Sequence, residues 1–75
     1  MVYSYNITSS EDLIKLSELA GKEDFPIYIS TNYGLLDARS LLGLFTIGNQ
    51  QITLVAGDHT CAKEFTKFIN KLENV

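Results

Sequence analysis

The chain has 75 residues, 45% of them hydrophobic and 20% charged, with a formal net charge of −3. That length suits one domain, and the composition excludes a disordered or low-complexity chain. Nine Asp and Glu against six Lys and Arg argue against nucleic acid or an anionic membrane as the main partner, because phosphate binding needs clustered positive charge. From the start of the chain, residues 2–8 alternate and are rich in aromatic and β-branched side chains (Val2, Tyr3, Tyr5, Ile7), which predicts a first strand. Ser9 or Ser10 then offers an N-cap, and Glu11 and Asp12 suit the positive end of a helix dipole. A helix is predicted over 10–21, with Leu13, Leu16, Leu19 and Ala20 on one face and Gly21 as its terminator. Glu11 with Lys15, and Glu18 with Lys22, are spaced as i,i+4 pairs.

Residues 25–31 predict a second strand, with Phe25, Ile27 and Ile29 on one face and Tyr28 and Ser30 on the other; Pro26 is tolerable near its start. Asn32-Tyr33-Gly34 supplies a turn in which Gly34 or Asn32 can take a left-handed conformation, and 35–38 is the returning strand. Ser40 is a good N-cap for a short apolar helix over 41–47, ended by Gly48 and Asn49. A fourth strand spans 51–56, with either Ile52, Leu54 and Ala56 or Thr53 and Val55 inward. Gly57-Asp58 turns the chain, and Asp58 or Thr60 caps a last helix to about residue 72. Cys61, Phe65, Phe68, Ile69 and Leu72 make its apolar face, while Lys63, Lys67 and Lys71 lie on the polar one. The order β-α-β-β-α-β-α predicts an α+β fold: a four-stranded antiparallel sheet with three helices on one face and the other face partly wet.

This order, with the run Ile27-Tyr28-Ile29-Ser30-Thr31-Asn32-Tyr33-Gly34-Leu35-Leu36-Asp37-Ala38-Arg39-Ser40-Leu41-Leu42-Gly43-Leu44, resembles the HPr family. These are the histidine phosphocarrier proteins of the bacterial sugar phosphotransferase system. The resemblance implies a single HPr-like open-faced β-sandwich over residues 1–75. In that family a hairpin with an Asn-Gly turn leads into Ala-Lys-Ser, a short apolar helix and a Gly; Ala38-Arg39-Ser40 and Gly48 stand at those places. The fourth strand and the Gly57-Asp58 turn into the last helix also match. The family signature Gly-Leu-His-Ala-Arg-Pro follows the first strand. Its histidine takes the phosphoryl group, its arginine neutralises developing charge, and the helix N-terminus helps hold the phosphate. The corresponding stretch here is a shorter connection, Thr8-Ser9-Ser10-Glu11-Asp12-Leu13, without histidine, arginine or proline. Glu11 and Asp12 would repel an incoming phosphate, so no catalytic residue is assigned.

The remaining chemistry is sparse. His59, the single histidine, follows the fourth strand and reads as an exposed or capping residue; in an HPr-like sheet it would lie at the end opposite the phosphoryl site. Cys61 reads as a small buried core residue, since no second histidine or basic cluster stands by to activate it. One His and one Cys at i,i+2 do not converge as metal ligands, and no metal or cofactor is expected. The lysine row reads as a solvated helix face rather than a surface for an acidic partner. With no apolar stretch near the about 20 residues that span a bilayer, and no signal-peptide pattern in Met1-Val2-Tyr3-Ser4-Tyr5, a cytoplasmic protein without membrane or nucleic-acid partners is expected.

Ser40 is explained by capping alone, but by the resemblance it also falls where many family members carry a regulatory, phosphorylated serine. Leu41, Leu42, Leu44, Phe45 and Ile47 crowd a helix that can bury only about half of its circumference. Leu44 and Ile47 suit the sheet side, leaving some of Leu41, Leu42 and Phe45 outward, at positions that in the family contribute to partner docking; the alternative is a helix buried all round in a small, tight core. The expected function is a non-catalytic protein-binding or regulatory module related to the phosphotransferase system. The alternative is a phosphocarrier protein using an atypical site; homodimerisation through the apolar helix is a further option.

Overall fold

The computed structural model describes residues 1–48, 50–57 and 59–74, with the backbone alone for Leu41. Four strands and three helices alternate as β1 (Val2–Asn6), α1 (Ser10–Gly21), β2 (Ile27–Thr31), β3 (Gly34–Asp37), α2 (Leu41–Phe45), β4 (Gln51–Ala56) and α3 (Ala62–Glu73). The strands form one sheet in the order β1-β4-β2-β3. Every neighbouring pair is antiparallel.

The alternation of side chains decides what the sheet faces. Ile27 and Ile29 of β2, Ile52, Leu54 and Ala56 of β4, and half-buried Tyr3 and Tyr5 of β1 point to one side. There they meet Leu13, Leu16 and Ala20 of α1, Leu44 of α2, and Phe65, Phe68, Ile69 and Leu72 of α3. Of the two registers open for the fourth strand, the one with Ile52, Leu54 and Ala56 inward is adopted. The opposite face carries Ser4, Thr53, Ser30 and Leu35 in one cross-strand row, and it is largely open to water. No polar or charged residue among those described is buried.

Local chemistry sets the ends of the elements. β1 stops at Asn6, two residues short of the predicted limit, because Thr8 is already engaged by the next helix: Asp12 Oδ2 accepts from both the Thr8 N–H and its hydroxyl at 2.8 Å. Ser9 is the N-cap of α1 but makes no side-chain cap bond; Asp12 instead reaches back from the first turn to Thr8, the residue before the cap, and ties the incoming chain to the helix. Lys15 does not pair with Glu11. Its ammonium donates to the Leu72 and Asn74 carbonyls at 2.8 and 2.9 Å, closing the C-terminal end of α3, where a positive charge suits the dipole. Nor is there an ion pair between Glu18 and Lys22; the ion pairs among the described residues are Arg39–Asp37, Lys67–Glu64 and Lys71–Glu23.

In the hairpin, Gly34 takes φ +121° while Asn32 keeps a negative φ, and the Thr31 hydroxyl donates to the Gly34 carbonyl at 2.7 Å. Helix α2 is shorter than predicted, ending at Phe45, and Gly48 reverses the chain with φ +75°. Asn49, expected to share that role, lies outside the described residues. The largest correction concerns α3. It begins at Ala62, with Cys61 as its extended N-cap, so Cys61 is exposed and not on the buried face. The sequence placed it one position inside the apolar stripe, and a later helix start carries it out of the core. Thr60 is therefore not the cap, and Asp58 lies outside the described residues.

Candidate docking surface

Helix α2 sits over the β3 end of the sheet, and its placement follows from a few residues. Asp37 closes the turn before it, accepting from the Arg39 N–H at 2.9 Å and from the Arg39 guanidinium at 2.8 Å. That guanidinium and N–H hold the Asp37 carboxyl below the usual carboxylate range. The Ser17 hydroxyl of α1 donates to the Arg39 carbonyl at 3.2 Å, tying the same turn to the first helix. Ser40 is extended, and its Oγ accepts from the Gly43 N–H at a long 3.4 Å, which confirms the expected N-cap. A side chain at Gly43 would be tight: its Cβ would come within 2.8 Å of Leu36 Cδ1 and 3.2 Å of Ser40 Oγ. Glycine there lets the short helix settle on β3.

The division of the apolar residues of α2 is as the sequence suggested. Leu44 is fully buried and Ile47 half-buried against the core. Leu42 is 84% exposed and Phe45 46% exposed. The side chain of Leu41 lies outside what is described. Beyond Phe45, a cleft of about 550 Å³ opens between the β2–β3 hairpin, Thr46 and Ile47, and the start of β4. It exists because the central strands diverge: β4 pairs with β1 as far as Gln51 but with β2 only as far as Thr53. Ser30, Thr31, Asn32 and Gln51 line it with Ile29 and Ile52, and among the described residues its walls hold no carboxylate, histidine, lysine or cysteine. Tyr33 and Leu35, exposed at the hairpin, lie on its rim and were missed as candidates from sequence. For Tyr33 the signal was available: a two-residue turn, Asn32-Tyr33, leaves its second residue with nothing to pack on.

The residues tested for chemistry stay apart. Register pairs Val2 with Val55 and Asn6 with Gln51, so β4 ends beside the start of β1. His59, exposed just after β4, therefore lies at the end of the sheet opposite Ser9 to Leu13. Cys61 is exposed with no cluster around it, and no group of three or more His, Cys, Asp and Glu among the described residues could hold a metal. In the lysine row, Lys67 lies 3.9 Å from Glu64 and Lys71 3.6 Å from Glu23, as suits a solvated face. No helix among the described residues is long and apolar enough to cross a membrane. The chain matches no protein-family model, and no curated protein is significantly similar to it.

Proposed function

We propose that the chain is a non-catalytic protein-binding module of the HPr type, which docks a protein partner through the outer surface of α2. The observation that carries this reading is the split within that helix. Leu44 anchors it in the core while Leu42 and Phe45 present apolar surface to solvent, and exposed apolar residues clustered on a rigid element are what interfaces use. The HPr-type assignment is supported by the element order, by helices packed on one face of an antiparallel sheet, and by Ser40 as the cap of the short helix. The acidic turn at Glu11 and Asp12 supports the absence of phosphoryl transfer, since two carboxylates in the first turn of α1 repel an incoming anion and Asp12 already takes the Thr8 N–H and hydroxyl. Ser40 is exposed, so a kinase could reach its hydroxyl; a phosphate there would replace the long cap bond and place charge beside Leu42.

The test has two arms. Incubation with phosphoenolpyruvate and the phosphotransferase enzymes should leave the chain unphosphorylated. An acid-labile label lost in His59→Ala would instead favour a phosphocarrier with an atypical site. In parallel, partner capture from native cytosol by wild type should be lost with Leu42→Asp and Phe45→Asp. Capture that survives both substitutions rules out docking through α2.

A further inference from the structure

The two edges of the sheet differ. The β3 edge is short and lies under α2, whereas β1 is a five-residue edge strand, Val2–Asn6, with no charge, no proline and no bulge. Natural sheets usually protect such an edge with one of those devices. The Ile7 N–H donates to the Gln50 carbonyl and the Ala56 N–H to the Met1 carbonyl, which fixes the odd-numbered residues as those bonded to β4. The backbone N–H and C=O groups of Val2, Ser4 and Asn6 therefore point outward. Among the described residues nothing pairs with them.

Beside this edge, α3 and β1 enclose a groove of about 400 Å³ lined by Val2, Tyr3, Phe65 and Ile69, with Thr66, Asn70 and Glu73 along the helix side. Lys63, Thr66, Asn70 and Glu73 follow one another at helical spacing and form one stripe. Neither charged end of that stripe has an ion pair among the described residues; Glu73 accepts only the Tyr3 hydroxyl at 2.8 Å.

We infer that a second copy of this chain pairs with the first, β1 against β1 and α3 beside α3, about a two-fold axis through Ser4. An antiparallel pair of identical strands is self-complementary by symmetry. Centred on Ser4, it sets Val2 opposite Asn6 of the other copy and lets each exchange both backbone bonds, while Tyr3 meets Tyr5 on the helix side and closes the groove. The same axis runs the two α3 helices antiparallel, so Lys63 faces Glu73 of the other copy and Thr66 faces Asn70. Charge complementarity thus favours the second copy over an unrelated extended peptide, which would have to supply this stripe pattern by chance. Strand pairing alone falls short of the about 1,200 Å² of a stable interface, so the dimer needs the helix contact and is weak. The sheet order places α2 at the far edge, so both docking helices remain free, one at each end of a continuous sheet.

Sedimentation equilibrium on the whole chain tests this. Wild type should dimerise in the range of about 0.1 mM and above, as suits a small interface. Ser4→Pro removes an outward N–H without touching the β1–β4 ladder, and Ser4→Lys places a charge on the edge; both should stay monomeric with unchanged circular dichroism. Lys63→Glu should weaken the dimer about tenfold, and Lys63→Glu with Glu73→Lys should restore it. A monomeric wild type overturns the inference, as does a dimer that ignores both Ser4 variants or is broken only by Phe45→Asp. Failure of the double charge swap to restore pairing overturns the helix register.

Discussion

Asp12 and Lys15 lie one turn apart on α1, and each closes a chain end that propensity alone would leave open. Asp12 accepts two bonds from Thr8, and those donors hold its carboxyl below the usual range; Arg39 does the same for Asp37. Folding therefore favours the ionised forms. The resulting stability is fully present above the ordinary aspartate value of about 3.9 and is lost as pH falls through the lowered folded values. The urea midpoint should accordingly drop as pH falls below about 4, and Asp12→Asn should flatten that drop. An unchanged acid profile in the variant would remove Asp12 from this account. Because both groups are near the surface, salt and solvent keep the effect small.

The elements divide between those that hold the fold and those that present a surface, and α2 contains both within five residues. Leu44 is completely enclosed, so Leu44→Ala should cost about 2–5 kcal/mol, the loss of transfer energy plus a cavity. Leu42→Ala removes a side chain that is 84% exposed and should change stability by no more than about 0.5 kcal/mol. Chemical denaturation of the two variants side by side checks the contrast. Comparable losses would mean that Leu42 packs in solution and is not free to dock. In α3 the apolar face was legible from the spacing of Phe65, Phe68, Ile69 and Leu72, all of which are buried. Its first turn was not legible, because Asp58, Thr60 and Cys61 are all short side chains near the turn and periodicity does not distinguish them.

At the scale of the molecule, one core cluster joins all three helices to the sheet, and Phe68 is its largest fully buried side chain. A chain of this length has a total stability of about 4–11 kcal/mol. Phe68→Ala, at about 3–5 kcal/mol, should therefore bring the protein close to its unfolding threshold at room temperature, with near-ultraviolet circular dichroism lost well before that of wild type. Retention of a wild-type thermal transition would show that the three helices do not share one core.

The order of elements, the inward face of β2, the Ser40 cap and the excess of apolar residues on α2 were determined by local sequence, since side-chain period and capping chemistry act over only a few residues. Which face of β4 turns inward, and which of the α2 side chains stay outside, were settled by packing. Tertiary structure alone decided which strands are edges, because pairing order depends on contacts between residues far apart in the chain. It sent Lys15 from its neighbour Glu11 to the end of α3, where two carbonyls outcompete an exposed carboxylate. It also carried Cys61 out of the core. The surfaces that now matter most, the divided face of α2 and the unprotected edge of β1 beside α3, exist because the sheet is finite and must end somewhere.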